Sequence, residues 1–122
     1  MAKKSLIAIV DDDESIRVST ANLIRAFGFA ARGFASAEEF LQSPELGETS
    51  CVISDVQMQG IGGLELQSRL ASTHRRTPII FITAQGDDKL RLQALRAGAV
   101  EFLTKAFDDQ ALLDSVRAAL ET

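Results

Sequence analysis

Short unbroken apolar runs alternate along the chain with longer segments whose apolar positions recur at helical spacing. LIAIV (6–10), CVISD (51–55), PIIFIT (78–83) and EFLT (101–104) lack the alternation of a half-exposed strand and are rich in branched or aromatic residues. That is the pattern of strands covered on both faces. AARGF (30–34) is a weaker fifth run and predicts an edge strand.

The segments between carry helix signals. Ile16, Thr20, Leu23, Ile24 and Phe27 form one inward stripe, and Gly28 is placed to stop that helix. SAEE, Ser36 to Glu39, is a capping-box pattern opening a short helix with Phe40 and Leu41 on it. Leu64, Gln67, Leu70 and Ala71 share a face of a third helix; Leu90, Ala94 and Ala97, stopped by Gly98, mark a fourth. The fifth is the clearest, with Leu112, Leu113, Val116, Ala119 and Leu120 at helical spacing behind Asp108 or Asp109 as cap.

Five strand–helix repeats predict a parallel sheet with helices on both faces, because parallel neighbours need crossover connections. The expected architecture is a flavodoxin-like (βα)5 doubly wound sheet of strand order 2-1-3-4-5, forming one domain over residues 1–122. Ligands in such sheets bind beyond the carboxyl ends of the strands, where the order reverses, here between strands 1 and 3. Strand 1 ends at Asp11 and Asp12, strand 3 at Asp55, strand 4 at Thr83 and strand 5 at Lys105, so all five residues gather at one edge. Three carboxylates that close repel one another unless a cation or proton intervenes. A hard, oxygen-seeking ion such as Mg²⁺ suits them, since it takes one or two carboxylates and keeps waters and phosphate oxygens.

Composition narrows the field. At 122 residues and 46% hydrophobic, the chain is long enough for a core and short enough for one domain. Its net charge of -4 gives no electrostatic reason to expect nucleic acid on this segment. The single cysteine, Cys51, lies in an apolar run; it can form no internal disulfide, reads as buried filler and fits a reducing, cytoplasmic location. MAKKS has the basic look of a signal-peptide start, but the apolar run after it is short and ends in aspartates, so neither export nor a membrane span is expected.

IVDDDE, ISDVQM, FITA and EFLTK, in this order and at these intervals, resemble the receiver domain of two-component response regulators, over essentially the whole chain. The resemblance implies that Asp55 is the phosphoacceptor, taking a phosphoryl group from the phosphohistidine of a sensor histidine kinase. It implies Asp12 as a direct Mg²⁺ ligand, Asp11 as a ligand acting largely through water, and the backbone carbonyl of Gln57 as a further contact. Lys105 would pair with the carboxylate and then with a phosphoryl oxygen, and Thr83 would bond the phosphoryl group once in place. Phe102 stands at the family's switch-aromatic position, so its ring is expected to enter the space Thr83 vacates. The surface of helix 4, strand 5 and helix 5 would report the change and could join two copies as a homodimer. SAEEF and RAGAVEFLTK look most like receivers joined to a LuxR-type helix-turn-helix output domain, so DNA contact is expected only through such a domain, outside these residues. The role is that of a signalling domain, not an enzyme.

Simpler readings attach to several neighbours. Asp13 and Glu14 read as a cap and first-turn acid of helix 1, and Asp87 and Asp88 as the start of helix 4. GIGG, Gly60 to Gly63, lacks the GK[ST] ending of a P-loop and reads as a tight turn; His74 reads as a loop residue. Two departures from the family stand out. TKAF places Ala106 where the family has proline after the lysine, and a cis bond costs about 2.5–4 kcal/mol there against roughly 0.5–1 before proline, so a trans or mixed Lys105–Ala106 bond is expected. Gln59 replaces a common proline and should loosen the loop after Asp55. Three rivals are a degenerate receiver acting only as an interaction module, a Mg²⁺-dependent phosphohydrolase, and an FMN carrier. The second would need a DxD nucleophile spacing and a cap insertion; the third, a Ser/Thr-rich phosphate loop and a tyrosine or tryptophan. The chain has none of these features.

Overall fold

The computed structural model describes residues 4–58, 60–72, 77–84, 88–104 and 108–121. The strands β1 (Leu6–Val10), β2 (Ala30–Phe34), β3 (Thr49–Asp55), β4 (Ile79–Thr83) and β5 (Glu101–Thr104) alternate with helices α1 (Glu14–Ala26), α2 (Ala37–Leu41), α3 (Gly63–Ser72), α4 (Asp88–Arg96) and α5 (Asp109–Leu120). A single 3-10 turn, Leu46–Glu48, precedes β3. All strand pairs are parallel and the order is β2-β1-β3-β4-β5, as expected.

Successive strand residues point to opposite faces, so each apolar run builds two cores at once. Ile7, Ile9, Cys51, Ile53, Ile80 and Ile82 face α1 and α5, where Ala21, Ile24, Leu112, Val116 and Ala119 meet them. Ala8, Val10, Val52 and Phe81 face the other way, against Phe40 of α2, Leu66 and Leu70 of α3 and Ala94 of α4. Burial pushes the Cys51 thiol up to about 12, which makes it the inert filler expected.

The helix ends follow local chemistry. Asp13 caps α1 by accepting from the Ile16 N–H at 3.2 Å, and Asp108 caps α5 by accepting from Ala111 at 2.7 Å. Ser36 caps α2 by accepting from Glu39 at 3.1 Å. Gly28 has φ +97°, which a side chain would strain, and lets the Phe29 N–H reach Ile24 O while its own N–H reaches Arg25 O. Gly98 ends α4 in the same way, with φ +104° and bonds from Gly98 to Leu95 and from Ala99 to Ala94.

Two helix faces differ from the expected stripes. On α3 the buried residues are Gly63, Leu66, Gln67 and Leu70, while Ala71 is exposed. The helix is rotated because it starts at Gly63, pressed against β3 and β4: a Cβ there would lie 2.7 Å from Phe81 Cε1 and 2.8 Å from Asp55 O. On α4 only Ala94 is buried; Leu90 is half-buried and Ala97, past the last helical residue, is exposed, with Ala99 taking the inward position beyond the glycine.

Among the described residues no helix is long and apolar enough to cross a membrane.

Candidate functional site

Strand register alone assembles the site. Val10 pairs with Ser54, so the next residues, Asp11 and Asp55, leave neighbouring strands side by side. Asp55 pairs with Ile82, and Thr83 follows it; Thr83 pairs with Thr104, the residue before Lys105. Carboxylate oxygens of Asp11, Asp12 and Asp55 all lie within 4.8 Å of one another. Asp11 is fully buried, Asp55 half-buried and Asp12 exposed, so the cluster grades from the sheet interior to solvent.

Backbone groups hold the acids in place. Asp11 Oδ1 accepts from the Asp13 N–H at 2.9 Å, which fixes its side chain across the turn, and the Asp11 N–H donates to Phe34 O at 3.1 Å. The Asp11 carbonyl accepts from Arg17 Nη1 at 2.9 Å. Asp55 Oδ1 accepts from the Gln57 N–H at 3.0 Å, and the Ser54 hydroxyl donates to the Asp55 carbonyl at 2.9 Å. Beyond Asp55 the chain is clamped where the Val56 N–H donates to Ile82 O and the Gly63 N–H to Val56 O. The GIGG segment is therefore more than a turn: Gly60 has φ +76°, but Gly63 is needed for contact with the Asp55 backbone.

Thr83 is 2% exposed at the end of β4. Phe102 is also buried, in the core on the α2, α3 and α4 side, with its ring centroid 6.2 Å from that of Phe81. The Phe102 ring, expected to enter the core as a switch, is buried there in this structure. Lys105, Ala106, Gln59, His74 and Asp87 lie outside the described residues, so the expectations on the Lys105–Ala106 bond and on the loop at Gln59 do too.

An all-oxygen set of three converging carboxylates fits a small hard cation such as Mg²⁺. Arg17 and Gly33 were not among the residues singled out from sequence, and Gly63 was read there only as part of a tight turn. The signal that could have found Gly33 is a glycine inside a strand run, which marks close approach of another group.

Residues 7–117 match the family described as the response regulator receiver domain. The chain belongs to that family. Nodulation protein W of Bradyrhizobium diazoefficiens is 46% identical over 118 residues, 97% of this chain and 52% of that protein. Transcriptional regulatory protein FixJ of Azorhizobium caulinodans is 38% identical over 93% of this chain and 54% of its own length. Among solved structures, response regulator StyR superimposes with a TM-score of 0.88 at 41% identity, covering 97% of this chain and 60% of that one. The FixJ-N crystal structure gives a TM-score of 0.88 at 31% identity, with 98% of this chain and 96% of that one covered. This receiver therefore spans about half the length of the curated relatives it matches. It is a signalling domain of two-component systems, with an acidic cluster able to hold a metal ion.

Proposed function

We propose that Asp55 of this receiver is loaded with a phosphoryl group from the phosphohistidine of a sensor histidine kinase. The observation that carries the reading is the convergence of Asp11, Asp12 and Asp55 at the sheet edge of a chain that matches the receiver family. A carboxylate oxygen of Asp55 attacks phosphorus in line with the breaking P–N bond, and the imidazole leaves. Two anions must approach, so the charge on the equatorial oxygens has to be neutralised. Asp11, Asp12, Asp55 and the Gln57 carbonyl would hold Mg²⁺, which supplies that neutralisation and orients the incoming group. Lys105, next after Thr104, would add an ammonium, and the Thr83 hydroxyl would bond a phosphoryl oxygen. The Gln57 N–H, bonded to Oδ1, holds the Asp55 carboxylate in a fixed orientation at the strand end.

The loaded aspartate adds charge and acceptor oxygens, which draw Thr83 toward them. Because Phe102 already packs near Phe81, the response is a repacking of Phe81, Phe102 and Thr83 within the core. It reaches solvent through α4, β5 and α5, the surface for a homodimer, and controls transcription through an output domain like those of the longer relatives. The cell compartment is the cytoplasm, where the kinase's transmitter region and DNA are both accessible.

Incubation with acetyl phosphate and MgCl₂, followed by intact-mass measurement, tests this. The chain should gain one phosphoryl group, and neither Asp55→Asn nor a sample in EDTA should. A gain by Asp55→Asn would refute the assignment. Continuous release of phosphate at a rate unaffected by Asp55→Asn would do so as well.

A further inference from the structure

Two features outside the acidic cluster converge on one peptide. The guanidinium of Arg17, on the second turn of α1, donates from Nη1 to the carbonyl of Asp11 at 2.9 Å. Its aliphatic stem crosses β2 at Gly33: a Cβ at that position would lie 2.9 Å from Arg17 Cγ and 3.1 Å from Cδ. Real Cβ contacts are almost never that short, and Cγ is close to the root of the side chain, so it cannot swing aside without moving the guanidinium. Gly33 pairs with Ile9, two residues before Asp11, so the gap in the edge strand opens alongside the end of β1.

We propose that Arg17 is a positioning residue for the metal site, and that Gly33 exists to admit it. The carbonyl of Asp11 belongs to the peptide that leads into Asp12. Fixing that peptide plane fixes the direction in which the Asp12 side chain leaves the turn. The turn is then restrained by the Asp11 N–H on Phe34 O, the Asp11 side chain on the Asp13 N–H, and the Asp11 carbonyl on Arg17. Groups that orient ligands from behind alter metal affinity without touching the ion.

The inference rests on the cluster being a Mg²⁺ site, as proposed above, and its test reads metal binding directly. Amide shifts of ¹⁵N-labelled chain are titrated with MgCl₂ alone. Arg17→Ala and Gly33→Ala should each weaken binding roughly tenfold or more, while Arg17→Lys, which keeps a donor on a long stem, should recover part of the loss. The decisive arm is the double variant. Arg17→Ala removes all three of the atoms nearest a Cβ at 33, so Arg17→Ala/Gly33→Ala should bind Mg²⁺ as Arg17→Ala does. Independent, additive losses would overturn the proposal, as would unchanged affinity in Gly33→Ala. Should Gly33→Ala alone fail to fold, recovery of the fold in the Arg17→Ala background supports the collision and continued failure contradicts it. The unsubstituted chain separates the two readings: if it binds no Mg²⁺, the proposed metal site is wrong; if it binds and Arg17→Ala binds equally well, only the positioning role is.

Discussion

The two faces of the sheet are built differently. Toward α1 and α5 the layer is almost wholly aliphatic, and each helix inserts several residues: Thr20, Ala21 and Ile24 from one, Leu112, Ser115, Val116 and Ala119 from the other. Toward α2, α3 and α4 the layer holds Phe34, Phe40, Phe81 and Phe102, and α3 buries Gly63, Leu66, Gln67 and Leu70, but the other two helices grip it less. α2 is five residues long, and α4 buries Ala94 alone. A buried amide strengthens that grip: Gln67 of α3 donates from Nε2 to the carbonyl of Ala94 at 3.0 Å, while its buried Oε1 has no partner among the described residues. The weakly held elements are therefore α2 and α4, on the face that carries Phe102 and borders Thr83. A signalling domain needs both, since elements that move are drawn from the weakly held part of a fold.

The largest test of this contrast is Leu112→Ala on the aliphatic face. It should lower global stability by about 2–5 kcal/mol in urea denaturation, whereas Leu90→Ala on α4 should cost well under half as much. Equal losses would remove the distinction between the faces. Next is Gly63→Ala, at the seam where α3 meets the Asp55 backbone. The added methyl overpacks against Phe81 and Asp55 O, with an expected loss of about 1–3 kcal/mol. If Asp55 is the phosphoacceptor proposed above, its loading by acetyl phosphate should also slow, because relief of the clash moves the strand end that carries it. Third, Gln67→Leu removes both the tether and the orphaned acceptor. Hydrogen exchange in α4 should rise by the equivalent of about 0.5–1.5 kcal/mol, with global stability held or raised and α5 protection unchanged. The smallest effect belongs to Leu92→Ser on exposed α4. Leu92 is 50% exposed, so stability should stay within about 0.5 kcal/mol, yet phosphorylation-dependent self-association, followed by sedimentation, should weaken if α4 joins the dimer surface.

Much of this was legible in the chain. Strand runs that end in Asp11, Asp55 and Thr83 reveal both the sheet and its functional edge, because parallel strands bring their carboxyl ends to one side. The caps at Asp13, Ser36 and Asp108 and the stops at Gly28 and Gly98 are local chemistry, which a sequence displays directly. What escaped depends on contacts between distant segments. The rotation of α3 onto Leu66 is set by Gly63 touching Phe81, and helical spacing accommodates either stripe. Arg17 sits one residue past Ile16, at the edge of the apolar stripe, where it reads as a solvated charge. Only the gap at Gly33 shows where it goes. Phe102 is plainly an aromatic on a strand, but whether its ring starts inside or outside the core is a packing outcome, and it starts inside.

The central claim is chemical: one aspartate, at the end of β3, accepts phosphate beside a divalent ion. Treating the chain with acetyl phosphate and MgCl₂, reducing any acyl phosphate with borohydride and sequencing the peptides by mass spectrometry identifies the loaded residue directly. The account predicts homoserine at position 55 alone, present with Mg²⁺ and absent with EDTA. Homoserine at position 11 or 12, or equal labelling without the metal, would contradict it.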